Sequence, residues 1–154
     1  MQIVRARPED ATRLTEIAFA AKRHWKYPEA WIESWREDLT INAEFLRDHE
    51  TYVAMVDNHL AGFYAFEHAR GKLEMSHMWV LPEAMGRGVG RALFHHAVER
   101  ARVLGFHAFE IESDPNAEGF YLRMGARRVG SNFREVENVR RKLPVLIYDI
   151  DEAS

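Results

Sequence analysis

The chain has 154 residues with 47% apolar and 29% charged side chains, enough for one well-cored domain spanning 1–154 and too polar for a membrane protein. No apolar run approaches the ~20 residues that cross a bilayer, so no membrane role is expected. A formal charge of −3 from 21 basic and 24 acidic residues gives no general pull toward nucleic acid. The chain has no cysteine, which excludes disulfides, thiol catalysis and cysteine-ligated zinc. Charges at Arg5, Arg7, Glu9 and Asp10 leave no room for a signal-peptide apolar segment, so the cytoplasm is the expected compartment.

Gln2–Arg7 alternates apolar and polar residues as an edge-facing strand does. Pro8 suits a first helical position, with Glu9 and Asp10 beside the positive helix end and Ala11, Leu14, Ile17, Ala18 and Ala21 following at helical spacing. A second helix is predicted from Pro28, burying Trp31, Ile32, Trp35 and Leu39, and a short turn of helix from Asn42 to Asp48. The period then changes. Tyr52–Val56 and Leu60–Glu67 read as a hairpin around Asp57-Asn58-His59, and Leu73–Val80 as a third strand of this set. A long helix carries the stripe Val89, Ala92, Leu93, Ala97, Ala101 and Leu104 and ends at Gly105. His107–Glu112, Arg128–Arg134 and Val145–Ile150 read as strands, with a helix at Asn116–Met124. This order predicts a mixed sheet with helices on both faces, in the α+β or α/β range.

The most informative segment is Val80-Leu81-Pro82-Glu83-Ala84-Met85-Gly86-Arg87-Gly88-Val89-Gly90-Arg91. A strand ends, a proline stops its ladder, and three alternating glycines lead into a helix. Glycines leave backbone amides unobstructed, and a helix N-terminus adds the positive end of its dipole, so phosphate is the natural ligand. The segment is no Walker A loop, because Gly-Lys-Ser/Thr is absent. Nor is it a dinucleotide fingerprint: the final glycine position falls on Arg91 counted from Gly86, and on Leu93 counted from Gly88. A tight strand-to-helix connection alone would need fewer of these features together.

The segment resembles the acyl-CoA motif of the GNAT N-acetyltransferase superfamily, in which Val-x-Pro leads into Gln/Arg-x-x-Gly-x-Gly/Ala. Val80, Pro82, Gly88 and Gly90 stand at the matching positions, and Met85 departs from Gln or Arg at the first. A second stretch, Asn116 through Tyr121 to Gly125, resembles the family's Asn-x-x-x-x-Tyr-x-x-x-Gly segment. The resemblance covers nearly the whole chain and implies an α/β/α arrangement with a mixed, mostly antiparallel sheet of six to seven strands.

It further implies acetyl-CoA as co-substrate and a primary amine, on a small molecule or a protein, as acceptor, joined by direct attack in a ternary complex. The diphosphate would lie on the amides around Met85, Gly86, Arg87, Gly88, Val89, Gly90 and Arg91. The pantetheine arm would run along Met78, Trp79 and Val80, with Asn116 and Phe120 beside it. Asn116 could equally cap its helix. Tyr121 matches the family tyrosine that protonates the departing sulfur; as a bare sequence feature it reads as a core aromatic.

Glu74 is the base candidate, acting through ordered water, against the reading of a solvated strand glutamate. His77 has a suitable ordinary pKa near 6.5, but strand alternation puts it on the face opposite Glu74 unless a bulge intervenes. Both are candidate acceptor contacts, as are Trp25 and Tyr27 in an aromatic-rich connection that also holds Trp31 and Trp35. Those last two are expected to face the core. Metal ligation is not expected: His95 and His96 diverge by ~100° on a helix and the other histidines are scattered. Arg140, Arg141 and Lys142 read as a solvated loop between the last two strands, with contact to the CoA 3′-phosphate or an acidic acceptor as the alternative. A CoA-binding sensor without turnover is the alternative function, and a homodimer is left open.

Overall fold

The computed structural model describes residues 1–150. Seven strands form one sheet in the order β1-β2-β3-β4-β5-β7-β6. The first strand, β1 (Gln2–Arg5), lies at the sheet edge, as its alternation predicts, and pairs antiparallel with β2 (Glu50–Val56). It stops two residues short of Arg7, because Ala6 turns into the core while its amide still bonds Thr51 O at 2.9 Å. β2, β3 (His59–Ala69) and β4 (Lys72–Val80) form an antiparallel meander. Asp57 and Asn58 both take positive φ, 51° and 66°, as a two-residue hairpin turn demands.

The N-terminal helical region is more broken than its periodicity suggests. Pro8–Asp10 forms a 3-10 turn, followed by α1 (Ala11–His24). The helix predicted from Pro28 is two short pieces, α2 (Glu29–Ser34) and α3 (Arg36–Leu39), with Trp35 between them. Within them Ile32 and Leu39 are buried; Trp35 is half-buried and packs against that core as expected, whereas Trp31, also half-buried, does not, a correction to its expected core placement. In α4 (Ala43–Asp48), Asn42 caps the helix by accepting from the Phe45 amide at 2.8 Å.

The second half holds α5 (Val89–Val103), β5 (Ala108–Glu112), α6 (Glu118–Arg123), β6 (Arg127–Val136) and β7 (Val139–Asp149). Gly105, at φ 88°, closes α5 as expected, its amide on Arg102 O at 3.0 Å. β7 begins well before the predicted Val145, so Arg140, Arg141 and Lys142 lie in a strand and not in a loop. The turn there is Glu137-Asn138, again with two positive φ angles, too short to be seen as a loop in composition.

Each face of the sheet carries its own core. One packs Phe66, Met75, Phe109 and Leu146 under Leu93, Phe94 and Ala97 of α5 and Tyr121 of α6. The other packs Val53 and Phe63 under Leu14, Ile17 and Ala18 of α1, with Ile32, Leu39 and Leu46. Burying each such large aliphatic or aromatic side chain contributes roughly 1.5–3 kcal/mol.

The site-forming feature is the join between the halves. β4 and β5 are the one parallel pair in the sheet order among the described residues, and they touch in register only at Glu74↔Glu110. Beyond that point they part, leaving main-chain groups of β4 without a strand partner on that side. No helix of the described residues is long and apolar enough to cross a membrane.

Candidate active site

The diphosphate cradle is built from backbone. Pro82–Ala84 forms a 3-10 turn after β4, and Gly86 and Gly88 follow at φ 78° and 82°, with nothing within 4 Å of where a Cβ would stand. That left-handed backbone suits glycine and turns successive amides outward. The Met85 amide is taken by Pro82 O at 3.2 Å, and Ala92 is the first amide of α5 to reach a carbonyl, Gly88 O at 3.0 Å. The amides of Gly86 to Arg91 between them have no partner among the described residues. Unpaired donors at the positive end of a fifteen-residue helix suit a phosphate group. Gly90 serves packing instead: a Cβ there would lie 3.3 Å from the Phe120 ring, so its absence lets α6 pack against the start of α5.

The cradle opens onto a cavity of about 550 Å³ that runs into the gap between β4 and β5. Among the sequence-predicted cofactor contacts, Met78, Trp79, Val80, Met85, Gly86 and Gly88 line it, as do Gly90, Arg91, Asn116 and Phe120. Arg87 and Val89 do not: Arg87 is exposed beside the opening, and the Val89 side chain is buried in the α5 core, so only their amides face the cradle. Tyr121 lines the cavity from α6 although only 6% of its surface is exposed. Its ring packs on Phe94 and Phe120, and its hydroxyl makes no hydrogen bond among the described residues. Burial, then the charge of Asp114, pushes that hydroxyl well above its ordinary pKa, so it stays protonated and able to donate.

A β-bulge decides the base candidates. Ala65 faces His77 and Phe66 faces Met75, so Ser76 is an extra residue on β4. The bulge puts His77 on the same face as Glu74, correcting simple alternation. His77 is nonetheless unsuited to the work. Burial holds its pKa down to about 4, against a weaker upward pull from Glu67, and its Nδ1 accepts from Trp79 Nε1 at 3.0 Å. It packs against Phe45 and Phe63 and does not line the cavity. Glu74 does not line the cavity either, a correction to its expected acceptor contact; it is exposed at the vertex where β4 and β5 part, from which it reaches the cavity only through water. Partial burial, followed by Glu67, Glu112 and Glu110, raises its carboxyl above the usual range, which makes it a better base than an isolated glutamate. Glu112 at the cavity wall is held ionised against its burial by Arg134, at 2.7 Å, and Asn132, at 2.7 Å.

The acceptor end contains a cluster that the sequence does not announce. Asp114 sits at the cavity wall, and Lys22 Nζ of α1 reaches its Oδ2 at 2.7 Å. Tyr27 Oη lies 2.9 Å from the same oxygen, Arg141 Nη2 of β7 donates to Tyr27 Oη at 2.8 Å, and Asn116 Nδ2 donates to it at 3.0 Å. Lys22, Arg141 and Asp114 side chains are 11%, 11% and 9% exposed. Burial pushes the Asp114 carboxyl up, but Lys22, the Asn116 amide and the Tyr27 hydroxyl together outweigh it and hold the group below its ordinary pKa.

This cluster revises two expectations. Asn116 does not cap α6; Asp114 caps the preceding Pro115–Ala117 turn, accepting from the Asn116 amide at 2.8 Å. Tyr27 does not line the cavity, its hydroxyl being engaged by Asp114 and Arg141, whereas Trp25 does line it. The faces of Trp35 and Tyr27 are covered by the chain's own cations, Lys22 Nζ standing 4.3 Å from the Trp35 ring and the Arg141 guanidinium 5.0 Å from Tyr27. Of the two rings expected to meet the acceptor, Tyr27 thus has its face filled from within. Lys22, Asp114 and Arg141 come from three distant stretches, and only the Asp-Pro-Asn turn signal at 114–116 hints at one of them. His96 bonds Tyr64 Oη at 2.7 Å, and no group of three or more His, Asp or Glu among the described residues is placed to hold a metal.

The acetyltransferase (GNAT) family matches residues 13–126. The chain belongs to that family. No curated protein matches the sequence. Among solved structures, the paiA N-acetyltransferase of Thermoplasma acidophilum, in complex with coenzyme A, is 20% identical at a TM-score of 0.80, over 96% of this chain and 98% of that one. A yncA protein of Salmonella typhimurium, solved with its cofactor acetyl-CoA, is 21% identical at a TM-score of 0.70, over 100% and 96%. The ribosomal-protein-S18-alanine N-acetyltransferase of Escherichia coli is 16% identical at a TM-score of 0.73, over 99% and 96%. At these identities the shared property is the seven-stranded GNAT fold.

Proposed function

We propose that this GNAT protein is an acetyl-CoA-dependent N-acetyltransferase acting on a primary amine in a ternary complex. The observation that carries the reading is the run of unpaired amides from Gly86 to Arg91, opening onto the cavity that Tyr121 lines. Those donors fit a diphosphate, and the separated edge of β4 at Met78 to Val80 fits an amide-bearing arm. Met85 in place of the family's Gln or Arg leaves this fit intact, because the donors are main-chain.

When bound, acetyl-CoA supplies a thioester carbonyl open to attack by nitrogen. Glu74, through water, takes a proton from the arriving ammonium and frees its lone pair. Tyr121 gives its phenolic proton to the sulfur as the carbon–sulfur bond breaks and the carbon–nitrogen bond forms. The second proton shed by nitrogen restores Tyr121 through solvent, so the reaction releases one proton overall. A directly positioned acid of this kind typically contributes about 10²–10⁴-fold, and a base working through water about tenfold here. The absence of any cysteine favours direct transfer over a thioester enzyme intermediate.

The test is release of free CoA thiol from acetyl-CoA in the presence of an amine panel: polyamines, amino acids, aminoglycosides, aromatic amines, and peptides with free N-termini or lysines. The expected result is thiol release with a subset of amines, well above the amine-free rate. Binding of CoA with no release across the panel would instead identify a CoA-binding sensor.

A further inference from the structure

The bulge that reorients β4 leaves one group unaccounted for. Ser76, the extra residue, stands where β4 and β5 begin to part, and it lines the cavity together with Met75 and Tyr121. Its Oγ is buried and has no hydrogen-bond partner; Arg102 Nε is the other such side-chain atom among the described residues. A buried hydroxyl has given up its water and normally recovers a protein partner, and the exceptions concentrate where a ligand completes the bond. Alanine would fill the same space without that loss.

Position along the strand says what the partner is. Val80 and Met78 lie next to the cradle, and Ser76 is four residues upstream of Val80, about 13 Å farther at strand rise. A ligand anchored by its diphosphate at Gly86 to Arg91 therefore meets Ser76 with its opposite, acyl end. A thioester carbonyl accepts hydrogen bonds and donates none, which suits a hydroxyl whose proton has no other taker. Because the Oγ is buried while the residue lines the cavity, reaching a ligand requires Ser76 to turn about χ1 from its present position. Resting on the acetyltransferase reading above, we infer that the Ser76 hydroxyl donates to the carbonyl oxygen of the bound acyl group. It thereby orients that carbonyl and stabilises the negative charge the oxygen gains on attack.

Calorimetric titration of wild type and Ser76→Ala with acetyl-CoA and with CoA separates this role from a structural one, because only acetyl-CoA carries the carbonyl. The expected result is a fivefold to tenfold loss of acetyl-CoA affinity in the variant, the worth of about one hydrogen bond, with CoA affinity unchanged. Turnover should fall in kcat while KM for the amine stays constant. The Tm of the unliganded variant should stay level or rise by ~2–4 °C, since an unpartnered hydroxyl has been removed. Equal weakening of both ligands, no change with acetyl-CoA, or a Tm several degrees lower would overturn the inference, the last by showing a structural hydroxyl or a trapped water. If wild type binds neither ligand, the acetyltransferase reading itself fails and this inference falls with it.

Discussion

The two ends of the cavity are made in different ways. The cofactor end is a backbone device: two glycines at positive φ, a helix start and a strand edge freed by a parting neighbour. The acceptor end is a side-chain device, in which Lys22, Tyr27, Asp114, Asn116 and Arg141 converge from α1, the connection after it, the β5–α6 turn and β7. Substitution in the first should change binding and leave the fold; substitution in the second should change the fold first.

The largest effect expected is at the point where the ends meet. Tyr121→Phe keeps the ring in its contacts with Phe94 and Phe120 and removes the proton donor, so kcat should drop about a thousandfold. CoA affinity by calorimetry should be unchanged; a kcat within a few-fold of wild type would move the acid elsewhere. Next comes Asp114→Ala, which leaves two buried cations facing each other and should cost about 3–5 kcal/mol in denaturant unfolding. Because the Asp114 carboxyl sits below its unfolded pKa, its contribution is present above about pH 4 and is lost as pH falls through the lower folded value. The gap between wild type and Asp114→Asn should therefore narrow only in strong acid. A gap constant with pH would show that the carboxylate charge is not what the cluster uses.

At the cofactor end, Gly88→Val forces a branched side chain onto a left-handed backbone at φ 82° and plants it in the cradle. CoA affinity should fall roughly a hundredfold, with far less loss of stability than Asp114→Ala. Smallest is Glu74→Gln. Its raised carboxyl must be ionised to act, so wild-type kcat should climb as pH rises through that pKa, and the variant should lose this limb and about tenfold in rate. The same shift means Glu74 disfavours the folded state once ionised, so Glu74→Gln should melt slightly higher at neutral pH and the difference should vanish in acid.

The contrast between the ends also explains what the sequence could show. Val80-Leu81-Pro82 and Gly86 to Gly90 are contiguous, and their meaning is carried by local backbone preference, so cradle and helix were legible, whereas the place of the arm along β4 came only from the family resemblance. Tyr121 was singled out only by the resemblance to the family's Asn-x-x-x-x-Tyr segment; read alone it is a core aromatic, and its ring does sit in the core. The acceptor cluster was not, because a salt bridge across 92 positions leaves no local pattern. The bulge at Ser76 was equally silent: no glycine or proline marks it, and without it His77 falls on the wrong face. Trp31 shows the reverse error, a position at helical spacing read as core that in the fold faces Arg141.

The central claim is that main-chain donors, and not side chains, hold the ligand by its diphosphate. Calorimetry comparing CoA with pantetheine, which shares the arm and thiol but has no phosphate, tests it most directly. The account predicts clear binding of CoA, preserved in Arg87→Ala, with pantetheine at least a hundredfold weaker. Equal affinity for the two compounds, or loss of CoA binding on removing the Arg87 side chain alone, would contradict it.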